Sequence, residues 1–172
     1  MSHSVLRLFA AINFSRETKE RLAALQSELR ARSRRANFTL PENLHITLAF
    51  LGESDSRQTA AAKAAVASMR FAPFDVLIEG VACQKRERGN IWWASVNEGP
   101  ALLDLQRRLT ERLAVAGFEP EGRRYSPHIT IARQVVAETA PWQIEPFGET
   151  VTQIHLMMSE RVNGKLAYAR LV

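Results

Sequence analysis

HITLAF (His45–Phe50) and HITIAR (His128–Arg133) spell nearly the same six-residue word twice in a chain that contains only four histidines. Each word is apolar apart from its histidine, threonine and last letter, and each is bounded by proline or glycine nearby, so each reads as a β-strand. Side chains alternate between the two faces of a strand. His45 and Thr47 therefore share one face and Ile46 and Leu48 the other, and His128 and Thr130 are set against Ile129 and Ile131 in the same way. Two such strands can bring two imidazoles and two hydroxyls to one groove while their branched apolar residues enter a core.

The segments around the two words repeat as well. VLRLFAAI (Val5–Ile12) is a short apolar strand. Ser15 then caps a helix in RETKERLAALQSELRARS, with Glu17 in the first turn and Leu22, Leu25 and Leu29 at helical spacing. After Pro41, NLHITLAFLGE is a buried strand, and an alanine-rich helix follows from Ser56 to Met69, ended by Pro73. FDVLIEGVACQ and NIWWASVN make a hairpin around the polar tip KRERG, whose Gly89 serves the turn. A third helix starts near Pro100, carries Leu102, Leu105, Leu109 and Leu113 on one stripe and ends at Gly117. YSPHITIAR then brings back the histidine strand, and VTQIHLMMSE and GKLAYARLV are two more strands around Asn163-Gly164. Helix, short loop and histidine strand thus occur once in each half. This order predicts an α+β fold, one domain over residues 1–172 built of two related lobes with pseudo-two-fold symmetry.

Composition limits the partners. At 172 residues, 46% hydrophobic and 24% charged, the chain has the size and make-up of one ordinary domain, which argues against disorder and fibrous repeats. A formal net charge of +5 favours polyanions, nucleic acid first among them. Cys83 is the single cysteine, so an internal disulfide is impossible. No leader-like pattern opens the chain and no apolar run approaches the ~18 residues of a membrane span. The expectation is a cytoplasmic protein with no membrane contact.

Imidazole titrates near pH 6.5, so two rings facing one cleft can hold one neutral and one protonated form near neutrality. That division suits displacement at phosphorus, in which attacking water gives up a proton and the departing alkoxide gains one. Thr47 and Thr130 are short donors for phosphoryl oxygens. Arg133 offers a forked cation for the same phosphate, yet strict alternation groups His128 with Thr130 and Ala132 and turns Arg133 away. It needs a strand end or a β-bulge to reach the groove. The residues alone leave open which histidine is acid and which is base.

Other features have blander readings. No ligand spacing for zinc is present, and no glycine-rich phosphate loop, so neither a metal nor ATP is expected. His3, near the terminus, and His155, in TQIHLMM, receive no chemical role, and Cys83 reads as a small buried hydrophobe. Arg30, Arg32, Arg34 and Arg35 form a basic run at the end of the first helix, where the helix dipole favours cations. Arg123 and Arg124, just upstream of His128, are better placed for an RNA backbone. Phe9, Phe50, Trp92, Trp93 and Tyr125 can stack on bases or pack in the core.

Taken together, RLFAAI, PENLHITLAFLGE (Pro41–Glu53), GFEPEGRRYSPHITIAR (Gly117–Arg133) and the final Ser159, Gly164 and Tyr168 resemble the two-histidine (2H) phosphoesterases. Within that group they resemble the bacterial RNA 2′,3′-cyclic phosphodiesterases, also called 2′-5′ RNA ligases. The resemblance implies a bilobal fold of two mainly antiparallel sheets lining a central cleft with helices outside. It implies a phosphoric diester hydrolase that needs neither metal nor nucleotide and leaves a 2′-phosphate on RNA. His45 would be proton donor to the leaving ribose oxygen and His128 proton acceptor from water, with Thr47, Thr130 and Arg133 on the phosphate. Tyr125, Phe9, Arg123 and Arg124 are candidate RNA contacts. Where the family often carries Trp before the first motif, this chain has Phe38. The expected partners are RNA ends with a 2′,3′-cyclic phosphate, tRNA fragments or small cyclic nucleotides among them, met by a monomer. Formation or cleavage of a 2′-5′ bond, and a module that binds RNA ends without turnover, are the two other readings.

Overall fold

In the computed structural model, which describes residues 5–172, two antiparallel sheets carry the two histidine strands side by side; His3 lies outside the described residues. The first sheet has the order β3-β1-β8-β9, with β1 at Leu6–Asn13, β3 at His45–Ser54, β8 at His155–Val162 and β9 at Lys165–Arg170. The second has the order β2-β6-β5-β4-β7, with β2 at Ser33–Phe38, β4 at Phe74–Gln84, β5 at Asn90–Val96, β6 at His128–Ala137 and β7 at Trp142–Val151. Each sheet draws strands from both ends of the chain.

The repeat is visible in the connections. β1 leads into α1 (Arg16–Ala31) and returns antiparallel to itself as β3; β5 leads into α3 (Pro100–Val115) and returns antiparallel as β6. His45 lies opposite Asn13 and His128 opposite Ser95, so each histidine opens its strand beside the end of the strand that preceded the helix. This is the pseudo-two-fold α+β arrangement that the doubled word predicts.

Local chemistry explains the helix ends. The Ser15 hydroxyl accepts from the Thr18 amide at 3.3 Å and starts α1. Asp55 and Gln58 form a reciprocal capping box that starts α2 (Ser56–Ala67), two residues shorter than expected. Gly117 follows the end of α3 at φ +101°, a left-handed conformation that costs glycine nothing.

Leu22, Leu25 and Leu29 of α1 and Leu102, Leu105, Leu109 and Leu113 of α3 are buried with Ile46, Leu48, Ile129 and Ile131 in one continuous core. α1 packs on β6 and β7 of the sheet opposite β1, and α3 packs on β3 as well as β4. At ~25 cal/mol per Å² of apolar area, each buried leucine contributes on the order of 2 kcal/mol, so this shared core ties the lobes together.

Two elements differ from the reading of the sequence. Arg34 and Arg35 belong not to the end of α1 but to β2, which crosses to the second sheet and pairs with β6. β7 was not foreseen at all. Both are edge strands, polar or interrupted by Pro146, and edges tolerate the charges and proline that erase a strand's apolar signature.

Candidate active site

His45 and His128 are held by the same device. Nδ1 of His45 lies 2.7 Å from the carbonyl of Asn43, and Nδ1 of His128 lies 2.9 Å from the carbonyl of Ser126, in each case two residues earlier. A carbonyl only accepts, so both Nδ1 atoms carry hydrogen. The neutral rings therefore present a bare Nε2, ready to take a proton, and the protonated rings present an Nε2–H, ready to give one. At His45, Nε2 is 2.9 Å from the Thr47 hydroxyl, which places the ring and the first candidate phosphate ligand in direct contact.

The two carbonyls are anchored differently. Asn43 ends a short 3-10 turn (Pro41–Asn43) and is buried, with its side-chain amide donating to the Leu166 carbonyl at 3.0 Å. That bond ties the turn to β9 and curls the first sheet round His45. Tyr168 of β9 then meets the imidazole edge-on, with ring centres 5.2 Å apart, and Phe9 packs on it at 5.0 Å. Ser126 is exposed, and Pro127 stiffens the step to His128, whose ring lies 5.2 Å from that of Trp93.

The enclosure of His45 acts on its proton affinity. Burial pushes the His45 pKa below its ordinary 6.5; the Asn43 carbonyl opposes that, and the positive charges of His128, Arg133 and Lys19 reinforce it. Burial also raises the phenol pKa of Tyr168, against the pull of Arg133.

A β-bulge answers the parity question for Arg133. Trp92 pairs with Ala132 but Trp93 pairs with Thr130, so Ile131 is an extra residue on β6. Ala132 consequently follows Ile131 into the core, and Arg133 emerges on the face of His128 and Thr130. β3 does the same at the same letter: Ala10 pairs with Ala49 and Ala11 with Thr47, so Leu48 is the extra residue and Phe50 emerges beside Thr47, 61% exposed. The sixth letter of each word, F in one and R in the other, is thereby turned out of the core.

A cavity of about 670 Å³ opens between the strands, lined by Thr47, Phe50, Trp93, Tyr125, His128, Thr130 and Arg133 among others. His45 reaches it through the Thr47 hydroxyl. Of the other expected contacts, Arg123 and Arg124 line the rim, Arg124 paired with Glu98 at 2.7 Å. Tyr125 donates its hydroxyl to the Thr47 carbonyl at 2.8 Å and fastens the loop before β6 to the other lobe; burial raises its pKa. Phe9 is corrected from RNA contact to support: it is 5% exposed, in a small cluster with Ala11, Met157 and Tyr168 under His45. Cys83 is half-buried at the cavity wall rather than fully enclosed. Trp92 is a core residue, 1% exposed. His155 is half-buried, with Nδ1 3.2 Å from the Val172 carbonyl. Among the described residues no cluster of three or more histidines, cysteines or carboxylates has metal-site geometry, and no helix is long and apolar enough to cross a membrane.

Sequence reasoning missed the carbonyls of Asn43 and Ser126, because a backbone atom leaves no letter. The only hint was that both lie two positions before a histidine. It also missed Gln26 and Gln106, whose side-chain amides donate to the carbonyls of Ile131 and Leu48.

Two strands thus bring paired imidazoles, paired threonines and an outward arginine to one region of the molecule, and the chain belongs to the 2′-5′ RNA ligase superfamily, whose family model matches residues 14–163. The RNA 2′,3′-cyclic phosphodiesterase of Geobacillus stearothermophilus is 32% identical over 164 residues, 90% of this chain and 52% of that protein. The chain thus spans about half the length of that relative. The Archaeoglobus fulgidus protein of the same name is 30% identical, with 84% of this chain and 85% of that one aligned. Among solved structures, Escherichia coli LigT complexed with 3′-AMP superposes with a TM-score of 0.84 at 26% identity, covering 98% of this chain and 97% of that one.

Proposed function

We propose that this chain hydrolyses the 2′,3′-cyclic phosphate at an RNA end to a 2′-phosphate. The observation that carries the reading is the matched pair of Nδ1–H···O=C clamps, which give both rings the same tautomer and leave both Nε2 atoms to act on one phosphorus. Water attacks phosphorus as the Nε2 of His128 takes its proton. The P–O3′ bond breaks, and the Nε2–H of His45 protonates the departing O3′. The phosphate stays on O2′, and the two rings have exchanged protonation states, which solvent restores. Each transfer is worth roughly 10²–10⁴-fold in rate.

A lowered pKa opposes a proton-donating role for His45 in the empty cleft. The substrate reverses that: its phosphodiester anion adds a negative charge beside the ring and stabilises the imidazolium. Thr47, Thr130 and Arg133 hold the nonbridging oxygens, and Arg133 compensates the charge that builds up on them in the transition state. Phe50 and Trp93 offer rings to the terminal base, and Arg123 and Arg124 meet the strand upstream. Names of relatives and the bound 3′-AMP of LigT support an RNA end or a small cyclic nucleotide as ligand. We take the chain to act as a monomer and as one domain, in the cytoplasm.

The test is product analysis on an oligonucleotide ending in a 2′,3′-cyclic phosphate, with chelator present and no nucleotide added. A 2′-phosphomonoester is the expected product. A 3′-phosphate would reverse the assignment of the leaving group, and binding without turnover would leave an RNA-end-binding module. A 5′-hydroxyl can take the place of water in the same step, giving its proton to His128 while His45 protonates the departing O3′, so adding an RNA with a free 5′-hydroxyl measures 2′-5′ ligation on the same sample.

A further inference from the structure

Arg133 occupies a stretch of backbone that is irregular on both sides. Before it, the bulge at Ile131 shifts the phase of β6; after it, Gln134 sits at φ +53°, a left-handed conformation unusual for a residue with a side chain. Beyond that, Asn90 pairs with Val135 while Trp92 pairs with Ala132, so two residues of β6, Arg133 and Gln134, stand against Ile91 alone. Irregular backbone of this kind persists only where its surroundings over-determine it. Both sides are braced from outside β6.

The first brace is Gln26. It is a buried polar residue on the leucine face of α1, 7% exposed, and its amide nitrogen donates to the Ile131 carbonyl at 3.0 Å and to the Thr39 carbonyl at 2.8 Å. A bulge leaves ladder groups without strand partners, and a buried carbonyl without a partner is costly. The Ile131 carbonyl receives the Gln26 amide in addition to the Thr39 backbone N–H at 3.0 Å, which fixes the peptide plane of the bulge. The second brace is Gly89 in the β4–β5 turn. Its backbone lies so close to Gln134 that an added Cβ would stand 2.6 Å from the Gln134 carbonyl carbon.

We infer that Gln26 and Gly89 are positioning residues that aim Arg133 into the cleft, Gln26 by fixing the bulge before it and Gly89 by permitting the left-handed residue after it. The inference rests on the reading of Arg133 as a phosphate ligand, and it extends that reading to residues that never touch substrate. A glutamine in a helix core, otherwise an unfavourable place for an amide, thereby acquires a reason.

Binding of inorganic phosphate, measured by calorimetry on the full chain, tests this without requiring turnover. Gln26→Met keeps the length of the side chain and removes its donor; Gly89→Ala adds the colliding carbon at an exposed turn. Each is expected to weaken phosphate binding about five- to tenfold, and each to add less than about twofold in an Arg133→Ala background, because the effect travels through the arginine. Unchanged affinity in the folded single variants, or the same loss with and without Arg133, overturns the inference while leaving the proposed reaction intact. If Gln26→Met fails to fold, Gly89→Ala decides alone. If Arg133→Ala itself binds phosphate like the wild type, the phosphate role of Arg133 falls and this inference falls with it.

Discussion

The two histidine strands share a design and differ in their surroundings. Both clamp Nδ1 on the carbonyl two residues back, and both carry a bulge at the third residue after the histidine. Both bulge carbonyls are bonded by a glutamine from a helix: Gln26 of α1 reaches Ile131, and Gln106 of α3 reaches Leu48 at 3.3 Å. Around this common frame, His45 is enclosed by Phe9, Tyr168 and the curled end of its sheet, while His128 stands exposed beside Trp93. On the proposed reading the common part serves proton transfer, for which both rings present the same tautomer. The unlike parts lower the proton affinity of His45 and turn out an arginine at the sixth letter of one word and a phenylalanine at that of the other.

The shared frame breaks hardest. His45→Ala and His128→Ala are each expected to lower kcat by about 10²–10⁴-fold, with the double variant little worse than the poorer single, since the rings act as a unit. Single-turnover rates would show it, and near wild-type chemistry in either variant would end the paired mechanism. The unlike sixth letters come next. Arg133→Ala is expected to cost about 100-fold in kcat/KM for any cyclic phosphate, as fits loss of a charged hydrogen bond. Phe50→Ala should cost about tenfold, the scale of one base stacked on a ring. The Phe50 loss should vanish for a substrate lacking a base, whereas the Arg133 loss should persist. Equal dependence on the base in both variants would erase the distinction between the two sides of the cleft.

Much of this was legible because the word occurs twice. Period-two alternation placed His45 with Thr47 and His128 with Thr130, and it flagged Arg133 as out of phase, leaving a strand end or a bulge as the ways to reach the groove, of which the structure shows the bulge. The helices were readable from Leu22, Leu25 and Leu29 and from the four leucines of α3, whose spacing carries the whole signal. What stayed hidden has physical reasons. β2 and β7 are edge strands whose polar residues and Pro146 mask the pattern. Phe9 was misplaced because an aromatic on the histidine face is equally suited to a base or to a neighbouring ring, and only the curl of β9 toward Asn43 closes that space. The ring clamps are carbonyls, and no residue type announces a carbonyl.

Asn43 offers a sharper cut at the difference between the lobes, since among the described residues no side-chain hydrogen bond of Ser126 matches that of Asn43. Replacing it with alanine removes the bond to Leu166 but leaves the carbonyl that holds His45 in the chain. A drop of about tenfold in kcat is expected from looser orientation of the ring. KM should change little, because no phosphate ligand is moved. A change confined to KM would place the effect on binding instead.

The smallest expected effect is also the most diagnostic, because it reads the proton affinity of His45 directly. With its folded pKa below 6.5, the folded chain resists a proton that the unfolded chain accepts. The stability contributed by the neutral ring is therefore complete above pH 6.5 and is lost as the pH falls from there toward the folded value. Melting temperatures taken from pH 7 down to 5 should fall more steeply in the wild type than in His45→Ala. In kinetics the same shift sets the alkaline limb of kcat/KM, which reports the free enzyme and so falls away at a pH below 6.5 if His45 must enter protonated. The limb of kcat reports the complex, where the phosphate anion supports the imidazolium, and it should lie higher. Arg133→Ala removes one of the charges that depress His45 and should move the kcat/KM limb upward. Coincident limbs, or no movement in that variant, would mean that the enclosed ring is not the one that gives the proton.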